Sequence, residues 1–329
     1  MNVTKRQIDQ LNVEVTIEVA AADYAEFEHK RLAERRRSAE FKGFRKGMAP
    51  MSLIQRVYGD QALADAVNHV VGEQLDEFIK NENLDVLGEP LPTADQPENE
   101  WKSGNDFKFV FEMGLRPEIS FEVVKEDTVN KYTVTPSAET VAKMKENFKK
   151  HNEAQKKEVS DEEVEKEVDE NLKRSLANEA DWQLTKDIRK MLVEKAAISL
   201  PEDFLKRWLI YANSGKVTEE QVEKEFPRFI EDFKWQLVRG YLMKKYDFKV
   251  TEQDMFDAAE AYVRVQYTMY GMPEVPEEMV QDAAHRILQD GRQVGNLNEN
   301  VENQKVLEKV KEEITIKNKK ITEEKFRAL

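Results

Sequence analysis

Apolar and polar residues alternate near the beginning of the chain, in "LNVEVTIEV" at residues 11–19. This alternation predicts a half-buried strand whose apolar face is formed by Leu11, Val13, Val15, Ile17 and Val19. From Ala21 to about Glu40 the spacing of the apolar residues becomes helical. A second helical pattern runs from Met51 to Leu84, and Gly59 predicts a break within it.

A second alternating segment, "NDFKFVFEMGL" at residues 105–115, places four large apolar side chains on one face, Phe107, Phe109, Phe111 and Met113. The segment before it is predicted to be a loop by its glycine and prolines, Gly88, Pro90, Pro92 and Pro97. A strand, two helices and a returning strand are typical of a compact α+β domain. We therefore expect such a domain at residues 1–115.

The rest of the chain is predicted to form a linker and a helical domain. Residues 116–158 are expected to be extended at first and then helical, with Thr135 or Ser137 as the N-cap. Residues 159–329 show only helical patterns, which predict an all-α domain with arm-like projections. The expected fold is thus an elongated multi-domain protein, with an α+β domain followed by an all-α C-terminal domain.

Two predicted helices of the C-terminal domain carry more apolar residues than one buried face requires. The helix from Phe226 to Tyr246 has two nearly opposite stripes, one of Phe226, Ile230, Phe233, Leu237 and Tyr241 and one of Trp235, Val238, Leu242 and Tyr246. The helix from Thr251 to Tyr270 shows the same excess. Such a helix either lies centrally in its domain or offers its second stripe to a partner.

Composition narrows the classes of function. The 329 residues include 65 Asp or Glu and 51 Lys or Arg, and this net charge of −14 argues against broad nucleic-acid binding. There is no cysteine, which excludes disulfides, thiolate zinc sites and thiol catalysis. No signal peptide is visible, and no apolar run approaches the roughly 20 residues of a membrane span. We expect a soluble cytoplasmic protein with no membrane partner.

Residue patterns for catalysis are missing from the chain. None of the four histidines has another histidine at ligand spacing. Gly43 and Gly47 lack the following Lys and Ser or Thr of a nucleotide-binding loop, and neither a Gly-x-Ser-x-Gly nor a His-Glu-x-x-His motif occurs. We expect no metal, no cofactor and no enzymatic activity.

One short segment of this acidic chain is basic. The run "KRLAERRR" at residues 30–37 is followed by "EFKGFRKGMAP" at residues 40–50, where Lys42, Arg45 and Lys46 surround Phe44. The segment connects the first two predicted helices. It is either a solvated turn whose Phe44 folds back onto its own domain, or an exposed binding loop.

This connector resembles the Gly-Phe-Arg-x-Gly-x-x-Pro signature of the trigger factor family, with matches at Gly43, Phe44, Arg45, Lys46, Gly47 and Pro50. Met48 and Ala49 occupy its variable positions. The resemblance covers nearly the whole chain and includes "GLRPEISF" and "VEKAAISLPEDFLKRWL". One departure is large: where trigger factors usually carry a prolyl isomerase domain of the FK506-binding type, "AQKKE" leads almost directly into "VSDEEVEKEVDENLKR". We therefore do not expect isomerase activity.

The resemblance implies an ATP-independent chaperone that docks at the nascent-chain exit of the large ribosomal subunit. The Gly43–Gly47 loop, with Pro50, Lys42 and Arg37, would contact rRNA and a ribosomal protein. Unfolded or nascent chains would bind the helical domain and the inner face of the first domain. The expected client-binding residues are Trp235, Leu242, Tyr246, Met255, Tyr262, Met269, Tyr270 and Met272.

Two alternative functions remain open from the sequence. The chain could be a ribosome-independent holdase or assembly chaperone that uses the same helical surface. It could also be a prolyl isomerase with a reduced active site. The two-stripe helices are, in addition, compatible with a homodimer of the free protein.

Overall fold

The computed structural model describes residues 1–154, 159–272 and 274–329. Backbone packing divides the chain into two compact units, one of Met1–Glu118 with Ser199–Phe229 and the other of Ile119–Ile198 with Ile230–Leu329. In chain order, the helices and strands of the described residues are β1 (Asn2–Gln7), β2 (Asn12–Val19), α1 (Ala21–Ser38), α2 (Met51–Asn81), β3 (Val86–Pro92), β4 (Phe107–Leu115), β5 (Thr128–Thr135), α3 (Ala138–Ala154), α4 (Asp161–Ala196), α5 (Glu202–Ala212), α6 (Glu219–Lys245), α7 (Glu252–Met269), α8 (Glu277–Gln289), α9 (Gly291–Glu313), β6 (Thr315–Thr322) and α10 (Glu323–Arg327).

A four-stranded antiparallel sheet lies at the centre of the first unit, in the order β1-β2-β4-β3. The predicted strands β2 and β4 are neighbours, and the alternation predicted their buried face correctly. The residues of that face in the core are Val13, Val15, Ile17, Val19, Phe107 and Met113, with Phe109 and Phe111 packed against them.

Both edge strands of this sheet were missed by the sequence analysis. β1 is mostly polar and exposed, so no apolar alternation marks it. The predicted loop around Gly88 is wrong in part, because residues 86–92 form β3, with an irregular register between Leu87 and Leu91. Pro90 and Pro92 are compatible with an edge strand, whose outer side needs no N–H donor.

Helices α1 and α2 pack against each other and cover the apolar face of the sheet. The helix α2 contributes a long row of buried residues, Ile54, Ala62, Leu63, Ala66, Val67, Val70, Val71 and Leu75. The expected break at Gly59 is wrong, since α2 continues without interruption from Met51 to Asn81. A single glycine lowers the stability of a helix by about 1 kcal/mol relative to alanine, and the free energy gained by burying this row of apolar side chains is larger.

Helix α5 packs on strands β3 and β4 within the same unit. Gly114 allows its close approach, because a Cβ at this position would lie 2.6 Å from Cδ1 of Phe204. Arg207 of α5 donates to the Glu112 carboxylate at 2.6 Å. Residues 199–229, which the sequence analysis assigned to the helical domain, thus pack with the first unit.

The second unit is largely helical, but the all-α expectation is wrong because β5 and β6 form a two-stranded parallel sheet. Tyr132 of β5 packs with Ala180 of α4 and Phe326 of α10. Strand β6 has the sequence "TIKNKKIT", in which lysines outnumber isoleucines. Its partner lies almost 190 residues earlier, and no local pattern indicates such a pairing.

Helix α3 and the beginning of α4 pack through an apolar seam of Val164, Val168 and Leu172 with Val141, Met144 and Phe148. Ser137 caps α3, as one of the two predicted caps, by accepting from the Thr140 amide at 3.1 Å. The linker boundaries at residues 116 and 158 stay predictions, and the end of this linker, residues 155–158, lies outside the described residues.

The last part of the second unit contains the helices in which two apolar stripes were predicted. Val238 and Leu242 of α6 are fully buried, and Trp235 and Leu237 nearly so. A second core joins α7, α8 and α9 through Ala259, Val263, Val280, Ala284 and Leu297. Both stripes of α6 therefore contribute mainly to the protein interior.

Candidate functional site

The basic loop, residues 39–50 between α1 and α2, consists largely of two consecutive turns. The Phe44 amide donates to the Phe41 carbonyl at 3.0 Å, and the Met48 amide donates to the Arg45 carbonyl at 2.9 Å. Gly43 and Gly47 are the third residues of these turns, with φ of +91° and +82°. A turn with positive φ at its third position favours glycine, which explains the spacing of the two glycines.

The base of the basic loop is fixed to the helix pair. Ala49 is buried in a small core with Leu32, Ile54 and Ala62, against which Phe41 also packs. The Phe41 ring meets Tyr58 edge-on, with centroids 6.3 Å apart. Arg36 Nε donates to the Ala49 carbonyl at 2.9 Å. The loop therefore projects from a rigid base.

The outer part of the basic loop is exposed and cationic. Phe44 is 45% exposed and Met48 64%, so neither side chain is buried within its own domain. Lys42, Arg45 and Lys46 are exposed beside them. Lys46 Nζ lies 3.4 Å from Glu40, a pair of exposed groups that binds weakly. Between Lys30 and Arg56 there are nine Lys or Arg and only two Glu, a concentrated positive field.

The structure separates the arginines that the sequence presents as one run. Arg37 is exposed, as its predicted contact with a partner requires, and Arg35 lies over the Tyr58 ring at 5.8 Å. Arg36 instead turns inward to the Ala49 carbonyl. Its role in holding the loop was missed, because no sequence pattern tells which member of a basic run turns inward.

A second exposed surface lies at the end of the α7–α8 hairpin. We call it the apolar tip and define it by six exposed side chains, Tyr262, Val265, Met269, Tyr270, Met272 and Met279. Arg264 Nη2 links the two helices of the hairpin by donating to both carboxylate oxygens of Glu277, at 2.7 Å each. Helix α7 ends in a Schellman motif, in which Met272 N donates to Tyr267 O and Gly271 has φ of +78°.

A groove of about 500 Å³ runs beside the apolar tip. Its lining combines apolar, aromatic, amide and guanidinium groups from α7, its C-cap residue, α8 and α9, namely Tyr262, Val263, Gln266, Tyr267, Tyr270, Ala283, Arg286, Ile287 and Gln293. Met269 is 81% exposed and Tyr270 78%, which is unusual for side chains of this size. This surface can take up apolar side chains of a partner.

The eight predicted client-binding residues do not form one surface. Tyr262, Met269, Tyr270 and Met272 belong to the apolar tip, whereas Met255 packs in the core of α7–α9. Trp235 and Leu242 of α6, and Tyr246 directly after it, are engaged internally. Leu242 is fully buried, Trp235 Nε1 donates to Asn303 at 2.8 Å, and the Tyr246 hydroxyl donates to Glu313 at 2.5 Å. Val265 and Met279 were missed, although Val265 follows Tyr262 and precedes Met269 at helical spacing on one face.

Two ionisable groups of the second unit have strongly perturbed pKa values. Burial and the hydrogen bond to Glu313 raise the pKa of Tyr246 well above its ordinary value. Lys305, whose Nζ lies 2.8 Å from the carboxylate, and the Thr251 amide and hydroxyl lower the pKa of Asp254 to about 2. Tyr246 directly follows the end of α6, and Asp254 accepts from the Thr251 amide at the beginning of α7.

The described residues offer little for metal or membrane chemistry. Across 1–154, 159–272 and 274–329, no three His, Cys, Asp or Glu side chains are grouped so that they could hold a metal ion. Within the same ranges, no helix combines the length and the apolar character needed to cross a membrane. The notable features are thus surfaces, the basic loop and the apolar tip.

Comparison with known proteins identifies the same family at residues 1–148 and 180–329. A sequence model described as "Bacterial trigger factor protein (TF)" matches residues 1–148, and one described as "Probable trigger factor, C-terminal domain" matches residues 180–329. The chain belongs to the trigger factor family. Only residues 149–179 lie between the two trigger factor matches.

Individual trigger factors match over parts of their length. That of Geobacter sp. (strain M21) is 31% identical over 132 residues, which are 38% of this chain and 29% of the relative. That of Jannaschia sp. (strain CCS1) is 30% identical over 151 residues, 45% of this chain and 33% of the relative. The alignments thus span about a third of these trigger factors.

A solved structure extends the likeness in fold. It is described as "Promiscuous Substrate Recognition in Folding and Assembly Activities of the Trigger Factor Chaperone" and superposes with a TM-score of 0.54. The superposition covers 94% of this chain and 99% of that chain, at 13% sequence identity. At this identity, the likeness shows that the two chains share a trigger factor fold.

Proposed function

We propose that this protein is an ATP-independent chaperone of the cytoplasm that docks at the nascent-chain exit of the large ribosomal subunit. The observation that carries the proposal is the basic loop, where Phe44, Arg45 and Lys46 are exposed on two turns with a fixed base. Membership of the trigger factor family supports it. Docking brings the chaperone to unfolded chains as they emerge, so that it holds their apolar segments.

Each part of the basic loop has a physical role in this docking. Arg45 and Lys46, with Lys42 and Arg37, pair with rRNA phosphates and with acidic side chains of a ribosomal protein. Phe44 supplies an apolar anchor that loses its remaining contact with water. The rigid base lowers the entropic cost of binding, because the turns are already formed. The acidic remainder of the chain disfavours RNA binding elsewhere.

Cosedimentation with large ribosomal subunits tests the docking. We expect the variant Phe44→Ala, Arg45→Ala, Lys46→Ala to lose cosedimentation. A matched control, Trp182→Ala, Lys186→Ala, Lys190→Ala, also removes one exposed aromatic and two exposed cations, from α4. It should bind like the wild type. Equal binding by the loop variant and the wild type would remove the docking role from the basic loop.

Salt dependence tests the pairing with phosphates. If three cations of the loop each pair with one phosphate, the logarithm of the binding constant should fall with the logarithm of salt concentration with a slope of about −2.7. The single variant Lys46→Ala, which removes one of the three cations, should show a shallower slope of about −1.8. A salt-independent affinity of the wild type would contradict the role of Arg45 and Lys46.

The apolar tip is the surface we propose for holding clients. Methionine and aromatic side chains adapt to varied apolar partners. The apolar tip contains three methionines and two tyrosines. Contacts that are individually weak allow release when the client collapses, so nucleotide hydrolysis is not required. Trp235, Leu242, Tyr246 and Met255 are not part of this proposed surface.

A ribosome-independent holdase is the second candidate function, because the apolar tip belongs to a different unit from the basic loop. The two functions differ in what the loop variant does. A chaperone that depends on docking should protect nascent chains only with an intact loop, whereas a free holdase should protect them equally with the loop variant. Proline-limited refolding should not be accelerated by either protein.

A further inference from the structure

The eleven methionines of the chain, all of them in the described residues, fall into two groups by exposure. Six are buried or partly buried, namely Met51, Met113, Met144, Met191, Met243 and Met255. Five are exposed, namely Met1, Met48, Met269, Met272 and Met279. Three of these five belong to the apolar tip and lie within residues 269–279.

The exposed sulfurs are the accessible soft nucleophiles of this chain. It contains no cysteine, so no thiol competes for an oxidant. A thioether lone pair attacks one oxygen of hydrogen peroxide, the S–O bond forms as the O–O bond breaks, and the departing hydroxide takes up a proton to give water. The sulfur loses two electrons and the peroxide gains them, so methionine becomes methionine sulfoxide.

From this distribution we infer that the apolar tip is a reversible sulfoxidation site. Half of its six side chains are methionines, and sulfoxidation turns each into a polar side chain. The tip therefore changes from an apolar surface to a largely polar one. Methionine sulfoxide reductase reverses the change, with two thiols supplying the electrons and water leaving.

Six of the eight methionines outside the tip are buried or partly buried, whereas Met1 and Met48 are exposed and should be oxidised as well. Met113 is fully buried in the sheet of the first unit, and Met255 packs in the core beneath the tip. Sulfoxide formation in a core disrupts packing, whereas at Met269, 81% exposed, it removes no interior contact. Mild oxidation thus alters the surface of the tip while the helices beneath it stay folded.

Peptide mapping tests the site itself. The full chain is treated with hydrogen peroxide for increasing times, quenched and analysed by mass spectrometry. We expect Met269, Met272 and Met279 to be oxidised at least about tenfold faster than Met113, with unchanged helical circular dichroism. Oxidation of Met113 at the same rate, or loss of helicity together with oxidation of the tip, would overturn the inference.

The effect of sulfoxidation on the binding of unfolded chains rests on the proposed client-holding function. It is therefore measured separately from the peptide map. The probe is reduced, alkylated lysozyme carrying a fluorophore, and each protein is compared with its own untreated sample. Peroxide should weaken binding by the wild type roughly tenfold, and methionine sulfoxide reductase with thioredoxin should restore it. The variant Met269→Leu, Met272→Leu, Met279→Leu should show a ratio of treated to untreated affinity near one.

The two proposals fail in different ways. If the untreated wild type does not bind the probe, client holding is contradicted, while the peptide map still decides whether the tip is a sulfoxidation site. If the wild type binds equally before and after full oxidation of the tip, the inferred loss of binding is wrong. An equal loss in the leucine variant would assign the effect to other methionines and would also contradict it.

Discussion

The conformation of the basic loop predicts that replacing glycine by alanine destabilises the protein at Gly43 and Gly47, whereas the same replacement within α2 stabilises it. Gly43 and Gly47 hold φ of +91° and +82°, and no heavy atom lies within 4 Å of the place where a Cβ would stand at either. The cost of Gly→Ala there comes from the backbone alone, and left-handed alanine costs about 1–2 kcal/mol. The first unit should lose that much stability for each substitution.

Gly59 and Gly72 in α2 are the matched controls. Both have helical backbones, and a Cβ would meet only Gln55 Cγ at 3.6 Å for Gly59 and nothing within 4 Å for Gly72. Alanine should therefore stabilise the helix at these positions by up to about 1 kcal/mol. Gly47→Ala and Gly72→Ala should shift the stability of the same unit in opposite directions.

Hydrogen exchange at increasing urea concentration measures this difference for the first unit alone. The amides of β2 and β4 lie in its buried sheet and exchange when the unit unfolds. Their exchange midpoint should fall for Gly43→Ala and Gly47→Ala and rise for Gly72→Ala. A midpoint of Gly47→Ala at or above that of the wild type would refute the reasoning from the turn conformation.

Three further predictions concern contacts elsewhere in the molecule. Arg36→Ala should lower the unfolding free energy of the first unit by about 1–2 kcal/mol, because the Ala49 carbonyl loses its donor. Arg37→Ala, at an exposed position, should change it by less than about 0.5 kcal/mol. Equal effects in the exchange assay would contradict the role of Arg36. Tyr246→Phe should cost the second unit about 2 kcal/mol by removing the bond to Glu313, with Tyr270→Phe, at an exposed position of the same unit, as the control. Because the pKa of Tyr246 is raised, this contribution is present below the ordinary tyrosine pKa of 10 and is lost in strong alkali, so Tyr246 should ionise last in a tyrosinate absorbance titration. Because the pKa of Asp254 is lowered from 3.8 to about 2, its contribution to stability is present above pH 3.8 and is lost as the pH falls towards 2. Asp254→Asn should therefore flatten the dependence of α7 helicity on acid pH. An unchanged pH profile would count against the pair with Lys305.

The sequence predicted those parts of the fold in which one face is buried. In β2, Val13, Val15 and Ile17 alternate with polar residues because only one side of the strand meets the helices. The same reasoning fails at edges. β1 buries none of its six side chains, and β6 pairs with a strand distant in sequence, so neither has a local apolar signature.

Local sequence features predicted part of the candidate site, whereas features that depend on tertiary packing could not be predicted. The basic loop could be located because charge, glycine spacing and a single aromatic residue all occur within one connector. The inward turn of Arg36 depends on the position of the Ala49 carbonyl, which only the folded helix pair determines. On α6, spacing correctly indicated two apolar stripes, but whether a stripe meets solvent or other helices is a tertiary property, and Leu242 is fully buried.

Photo-crosslinking from the loop tests the central claim most directly. Benzoylphenylalanine replaces Phe44 in one variant and Trp182, an aromatic residue of α4 that is even more exposed, in a second. Both are irradiated with ribosomes that carry a nascent chain. The account predicts crosslinks from position 44 to proteins or rRNA around the exit of the large subunit, and none above background from position 182. Absence of ribosomal crosslinks from position 44, or equal yields from both positions, would contradict it.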